Sequence, residues 1–352
     1  MSVVESATEG NVPAKPARHK RGCLFWITRG GAALIGFVFM LGMCGVVYQV
    51  VATESDLSAY PPPGQIVDVG DYNMHLYCVG EGSPTVILEA GGSLTSSSWA
   101  WVQPEIAQVT RVCAYDRAGY GWSDLSLVGY GSVLNSTELH ILLDLAGIEG
   151  PYILAGHSLG GLYARVYAQQ YPDEVVGLVQ IDATHPDAWQ RRGLREGAGM
   201  DRVFLEAGPI AATFSVLRFI EFVPIDTDLP ERQQAEMRAY FATTRFANAA
   251  LILDNTFPEI LAPAREITSF GDLPLVVLTT GEVDAAATPD DQILRELQQE
   301  LVNLSTNSVY RVVEGATPNS LVHNREHAQA AIDAILQVIE AVRTGQPLVQ
   351  SP

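Results

Sequence analysis

The five residues Gly156-His157-Ser158-Leu159-Gly160 constrain this chain more than any other feature of its 352. They stand between an apolar run, Tyr152–Ala155, and a stretch from Gly160 to Gln170 that reads as helix. A strand that passes into a helix through so short a turn pushes its central residue out of the common backbone regions. Glycines on both sides of Ser158 remove side chains that would collide there. The hydroxyl is thereby presented at a helix N-terminus, where the helix dipole favours developing negative charge. G-x-S-x-G in this setting reads as a nucleophile, not as a flexible loop.

The surrounding pattern is one of alternation. Gln65–Val69 and Tyr72–Val79 flank Gly70-Asp71, a hairpin signal. Further strands are predicted at Thr85–Ala90, Arg111–Tyr115, Val176–Ile181, Leu273–Thr279 and Ser308–Val313. Helical stretches separate them, including Val133–Ala146 and Ile293–Leu304, and Glu326–Arg343 closes the pattern. Short apolar strands alternating with helices imply a mostly parallel sheet of eight strands, covered on both faces. Between His185 and about Phe270 no buried strand is evident, only segments rich in Phe, Leu and Ala. That interval, about 186–270, predicts a helical cap inserted after the sixth strand.

Gly30 to Thr53 holds 24 residues without a charge, enough to cross a hydrocarbon core at helical rise. Lys15, Arg18, Lys20, Arg21 and Arg29 precede it, so a cytoplasmic tail (1–29) and an external remainder are expected. Val50 and Ala52 also suit signal cleavage, but the run exceeds the usual signal core of about 7–15 residues. An uncleaved transmembrane anchor (30–53) is therefore the preferred reading. A Pro-rich spacer (54–64) follows, then the folded domain (65–352).

Charge narrows the partners. The residues after Thr53 carry 16 basic and 38 acidic side chains, a net of −22. Such a surface repels nucleic acid and anionic headgroups, so neither is an expected ligand. Of four cysteines, Cys23 and Cys44 belong to the anchor region. Cys78 and Cys113 belong to the outer domain, where a disulfide can persist, though two buried thiols remain the alternative. No Cys or His cluster has metal-ligand spacing.

Three further segments carry a family resemblance. Asp116-Arg117-Ala118-Gly119-Tyr120-Gly121-Trp122-Ser123-Asp124 resembles the DRxGxGxSD turn after the fourth strand of bacterial α/β-hydrolases, the esterase/lipase and haloperoxidase-like group. Glu89-Ala90-Gly91-Gly92 stands where many members have His-Gly and the oxyanion residue. Leu278-Thr279-Thr280-Gly281-Glu282-Val283-Asp284 is similar to the strand-then-GxxD pattern that carries the triad acid. The resemblance runs from about Pro63 to the C-terminus. It implies the α/β-hydrolase fold, an oxyanion hole from the backbone N–H groups of Gly92 and Leu159, and Asp284 as the acid. Glu282 and Asp182 are the rivals for that last role.

The histidine departs from the family. Members have Ala-Thr-His between the eighth strand and the last helix; here the residues are Ala316-Thr317-Pro318. An ungapped comparison through Ala331–Ile335 puts Pro318 where the base belongs, and proline transfers no proton. His323, five residues on, is the nearest imidazole and preserves the order Ser, Asp, His. His327 is expected on a helix, His157 in a packing role, and His185 near the cap entrance.

The expected activity is carboxylic ester hydrolysis through an acyl-enzyme. Ser158 attacks, His323 moves the proton, Asp284 orients it, and Gly92 and Leu159 bind the oxyanion. No cofactor or metal is needed. The apolar segment Ile210–Ile220 suggests a pocket for an apolar acyl part of a small-molecule ester, although helix packing explains it equally. Two alternatives stay open. One is a degenerate scaffold that binds a ligand without turnover; the other is amide cleavage or cofactor-free perhydrolysis.

Overall fold

The strands of the chain are β1 (Gln65–Asp68), β2 (Asn73–Val79), β3 (Thr85–Glu89), β4 (Val112–Tyr115), β5 (Tyr152–His157), β6 (Val175–Ile181), β7 (Leu275–Thr280) and β8 (Ser308–Val313). The helices are α1 (Cys23–Ala59), α2 (Gln103–Ile106), α3 (Ser132–Leu145), α4 (Leu159–Gln170), α5 (Ala188–Arg191), α6 (Arg202–Thr213), α7 (Glu231–Phe241), α8 (Thr244–Asn255), α9 (Phe257–Arg265), α10 (Pro289–Val302), α11 (Ser320–His323) and α12 (Ala328–Thr344). This computed structural model describes residues 23–126, 129–197, 201–220, 223, 225–281 and 289–349.

One sheet holds all eight described strands, in the order β1-β2-β4-β3-β5-β6-β7-β8. Only the β1–β2 and β2–β4 pairings are antiparallel. Every residue of β3 and β5 is buried, as expected for central parallel strands covered on both faces. Period-two alternation then divides their side chains. Ile153 and Ala155 face a core closed by α2 and α12, while Leu154 faces one closed by α3 and α4. A fully buried Leu or Ile contributes about 1.5–3 kcal/mol, so these faces set the register of the sheet. The register in turn brings the carboxyl ends of β3, β5, β6 and β7 to one edge.

Helices α5 to α9 fill the interval between β6 and β7, and among the described residues it contains no strand. This is the predicted cap. The rings of Tyr240, Phe241 and Phe246 pack together within it, with centroids 4.9–5.6 Å apart.

The chain divides into two compact units, Met1–Cys44 and Gly45–Pro352. In the first, the described part of α1 presents Trp26, Leu34, Ile35 and Phe39 as exposed side chains. α1 is long and apolar enough to cross a membrane. The second unit contains the sheet, the cap and the C-terminal end of α1.

Cys78 and Cys113 stand opposite one another on antiparallel β2 and β4 and are bonded as a disulfide. Cys44 is a free, exposed cysteine. The denatured, unreduced chain should therefore show no more than two reactive thiols in a quantitative labelling assay, neither of them Cys78 or Cys113. Reduction should raise the count by two. Four reactive thiols before reduction would contradict the bridge.

Candidate active site

Ser158 occupies the turn between β5 and α4 with φ 52° and ψ −122°, a conformation rare for a side chain other than glycine. Its own main chain holds it there. The Ser158 N–H donates to Ile181 O at 2.9 Å, and its carbonyl accepts from Gly161 N at 3.0 Å and Thr184 N at 2.9 Å. The flanking glycines are obligatory on steric grounds. A Cβ on Gly156 would lie 2.5 Å from Gly160 O, and one on Gly160 would lie 2.2 Å from Glu89 O. The elbow is thus pressed against the end of β3, beside Gly91 and Gly92.

The loop after β3 is clamped from beneath. Arg117, nearly fully buried, donates to the carbonyls of Ala90 (2.6 Å), Gly91 and Gly92 (2.9 Å). It pairs with Glu89 at 2.6 Å, and its guanidinium lies 5.0 Å and 5.2 Å from the rings of Tyr120 and Tyr163. Burial raises the Glu89 carboxyl above the usual carboxylate range, while Arg117 and the Tyr115 hydroxyl oppose that rise. With three successive carbonyls engaged by one cation, the loop keeps one conformation. Gly92, Leu159 and Ser158 then line a common cavity of about 260 Å³. Leu159 opens α4, so its N–H is one of the first-turn donors that no helix carbonyl accepts.

A second cavity, about 550 Å³, meets the first at Ser158 and Thr184. Asp182, His185, Thr279 and Pro318 are on its wall. Asp182 also has a left-handed backbone, φ 44°, and accepts from Thr279 Oγ1 at 3.0 Å. Burial raises its pKa, against the lowering effect of that hydrogen bond. The combination places a carboxyl group with a strained backbone at the carboxyl end of the strand beside the elbow.

The histidines are arranged differently from expectation. Pro318 lines the cavity at Ser158, and its carbonyl accepts from His157 Nε2 at 3.0 Å. That bond fixes the neutral His157 tautomer and leaves a buried Nδ1 without a partner. Burial, with His323 nearby, pushes the His157 pKa down to about 3. His185 accepts from Asp187 N at 3.2 Å and is pushed down to about 4, mainly by burial. His327 bonds Ser320 Oγ at 2.8 Å, away from the elbow.

His323 sits on α11 and is almost wholly buried. Its Nδ1 faces Asp226 Oδ2 of the cap at 3.3 Å, and its Nε2 has no partner. The structure does not join it to Ser158, because α11 turns the side chain toward the cap instead of toward the elbow. Among the described residues no side chain is hydrogen-bonded to Ser158 Oγ. Asp284 and Glu282 lie outside the described residues.

Sequence reasoning missed two groups. Arg117 was visible only as part of a turn motif, and Asp226 carried no signal, being 97 residues from its partner. The acyl pocket also needs correction. Ile210, Phe214, Phe219 and Ile220 are exposed and line neither cavity. α6 buries Leu205 and Ala212 instead, which turns its Ile210 outward. The apolar wall near Ser158 comes from Leu94, Trp189, Leu253 and Phe257.

Comparisons with known proteins agree with this architecture. The family model described as α/β hydrolase fold matches residues 84–257. The uncharacterized protein YbdG of Bacillus subtilis is 24% identical over 192 residues, covering 53% of this chain and 58% of that protein. The chain spans three fifths or less of the length of the first curated relatives it matches. Among solved structures, the epoxide hydrolase CorEH is 20% identical with a TM-score of 0.57, over 79% of this chain and 99% of that one. A thermophilic esterase from Thermogutta terrifontis is 18% identical with a TM-score of 0.56, over 79% and 98%.

The Arg117 clamp has a measurable consequence. Arg117→Met leaves Glu89 buried without its cation and should cost about 3–5 kcal/mol, read from the urea midpoint. Adding Glu89→Gln should recover part of that loss, as a coupled pair requires. A single-variant loss below about 0.5 kcal/mol would show that the clamp is not structural.

Proposed function

Since this chain has the α/β-hydrolase fold, we propose that it is a serine hydrolase acting on carboxylic esters through an acyl-enzyme on Ser158. One observation carries the reading: Ser158 holds a strained backbone at the head of α4, facing a cavity shared with Gly92 and Leu159. Strain at a non-glycine residue costs about 1–3 kcal/mol and persists where function demands the geometry. Ser158 Oγ attacks the ester carbonyl. The oxyanion that forms meets the N–H groups of Gly92 and Leu159, each worth about 2.7–4 kcal/mol in such sites. The acyl part lies against Trp189, Leu253 and Phe257.

The proton needs an acceptor. His323 is the proposed base, because Asp226 at its Nδ1 leaves the Nε2 lone pair free, the tautomer that a general base requires. The segment between β8 and α12 must then shift to carry it to Ser158 when an ester binds. Asp226 takes the orienting role in this scheme, with Asp284 and Asp182 as the other carboxylates open to it. Pro318 supports a second reading, a scaffold that binds an ester or acid without turning it over. The protein would be a single-pass membrane protein with its catalytic domain outside the cytoplasm. The disulfide between Cys78 and Cys113 favours that oxidising side.

Hydrolysis of a short-chain p-nitrophenyl ester separates the readings. Ser158→Ala and His323→Ala should each lower kcat by about 10³-fold or more, and their combination should be little worse, since such residues act as a unit. Asp226→Asn should also lower kcat. A silent wild type that gains activity in Pro318→His would overturn His323 as base and support the scaffold reading.

A further inference from the structure

The outward-facing apolar residues of the cap have a place relative to the C-terminal end of α1. Six contacts, all within the unit Gly45–Pro352, fix it. Ser215 Oγ donates to Gly45 O at 2.6 Å, and the rings of Tyr48 and Phe219 stack at 5.9 Å. Arg218 donates to Gln49 Oε1 (3.0 Å), Thr53 Oγ1 (3.0 Å) and Asp56 Oδ2 (2.7 Å). Gln49 in turn donates to Ala242 O at 2.9 Å and is buried.

These contacts define two levels along the helix. Thr53, Asp56 and Arg218 form a polar level. Gly45, Tyr48, Phe214 and Phe219 form an apolar one, and Gly45 lies about 12 Å of helical rise before Thr53. That apolar level belongs to the uncharged run Gly30–Thr53. Phe219, beyond its stacking on Tyr48, and three further cap residues are apolar and exposed. Phe219 is 77% exposed, Val203 73%, Ile210 64% and Ile220 54%. Val203, Ile210 and Phe214 recur at i, i+7 and i+11, one face of α6 and the turn that follows it.

We propose that this cap face is immersed in the lipid leaflet adjoining the catalytic domain, beside the outer end of α1. The inference rests on reading α1 as a membrane span, and it goes further by assigning a second, non-helical-span contact to the cap itself. Two aromatic residues at the level of Tyr48 suit the interfacial zone, where amphipathic segments sink about 5–10 Å into the headgroup and acyl boundary. Arg218, Thr53 and Asp56 then meet the headgroups. The attraction is apolar, because the strongly acidic domain has no electrostatic pull toward anionic lipid. The cap, and with it the roof of the Ser158 cavity, is held at the lipid surface.

Spin labelling of the full chain in phosphatidylcholine vesicles tests this. In a Cys23→Ser/Cys44→Ser background, labels go at Phe219→Cys and Val203→Cys on the cap. Val38→Cys reports the anchor and Leu145→Cys reports water, both being exposed sites. The ratio of collisions with oxygen to collisions with a water-soluble nickel chelate should be several-fold higher at 219 and 203 than at 145, approaching the value at 38. Lipid-like values at 38 with water-like values at 219 and 203 would overturn the immersed cap and leave the anchor standing. Water-like values at 38 as well would remove the anchor reading, and this inference with it.

Discussion

Everything at the edge of the sheet that holds Ser158 depends on the close approach of main chain to main chain. β5, the turn at Ser158 and the first turn of α4 are packed so tightly, on each other and against the end of β3, that a Cβ at Gly156 would lie 2.5 Å from Gly160 O and one at Gly160 2.2 Å from Glu89 O. Only glycine satisfies both positions. With them in place, Ser158 is forced to a positive φ, and its hydroxyl, the Leu159 N–H and the Gly91-Gly92 loop are brought to a single small volume. A side chain at Gly160 would push Ser158 and the Gly91-Gly92 loop apart.

The second constraint is electrostatic and lies just below. Arg117 replaces the water that would otherwise satisfy the carbonyls of Ala90, Gly91 and Gly92, and Glu89 with Tyr115 keeps the buried cation in place. A buried ion pair is poor evidence of stability in itself, since desolvation offsets most of the attraction. Its value here is geometric. Asp116, next in the chain, holds the same turn from the other side, accepting from Ser96 N at 2.7 Å and from His75 Nδ1 at 2.9 Å. Burial opposes the charged Asp116 carboxylate, but His75 and the backbone donors prevail and hold its pKa low.

The fold was legible because its signals are local. β5 and β7 appear as apolar runs, and the strand-glycine-serine-glycine-helix sequence around Ser158 tolerates few other backbones. The hydrogen-bonded partners of the site were less legible, because their spacing in sequence carries no information. Asp226 meets His323 across 97 residues, and only the folding of the cap brings them together. The segment Ile210–Ile220 shows the limit of composition: apolar content alone did not say which of its side chains the cap buries and which it leaves exposed. Pro318 was legible as a departure at the expected base position. Its effect on His157, whose ring its carbonyl fixes across 161 residues, has no local signal.

The central claim is that Ser158 is an activated nucleophile facing an oxyanion hole, whatever ester it meets. Intact-mass and peptide-level mass spectrometry of the full chain after exposure to a fluorophosphonate measures this without knowledge of the substrate. The account predicts one phosphonyl adduct, located on Ser158 and absent from a folded Ser158→Ala variant. An unmodified wild-type chain, or an adduct that persists in Ser158→Ala, would contradict it.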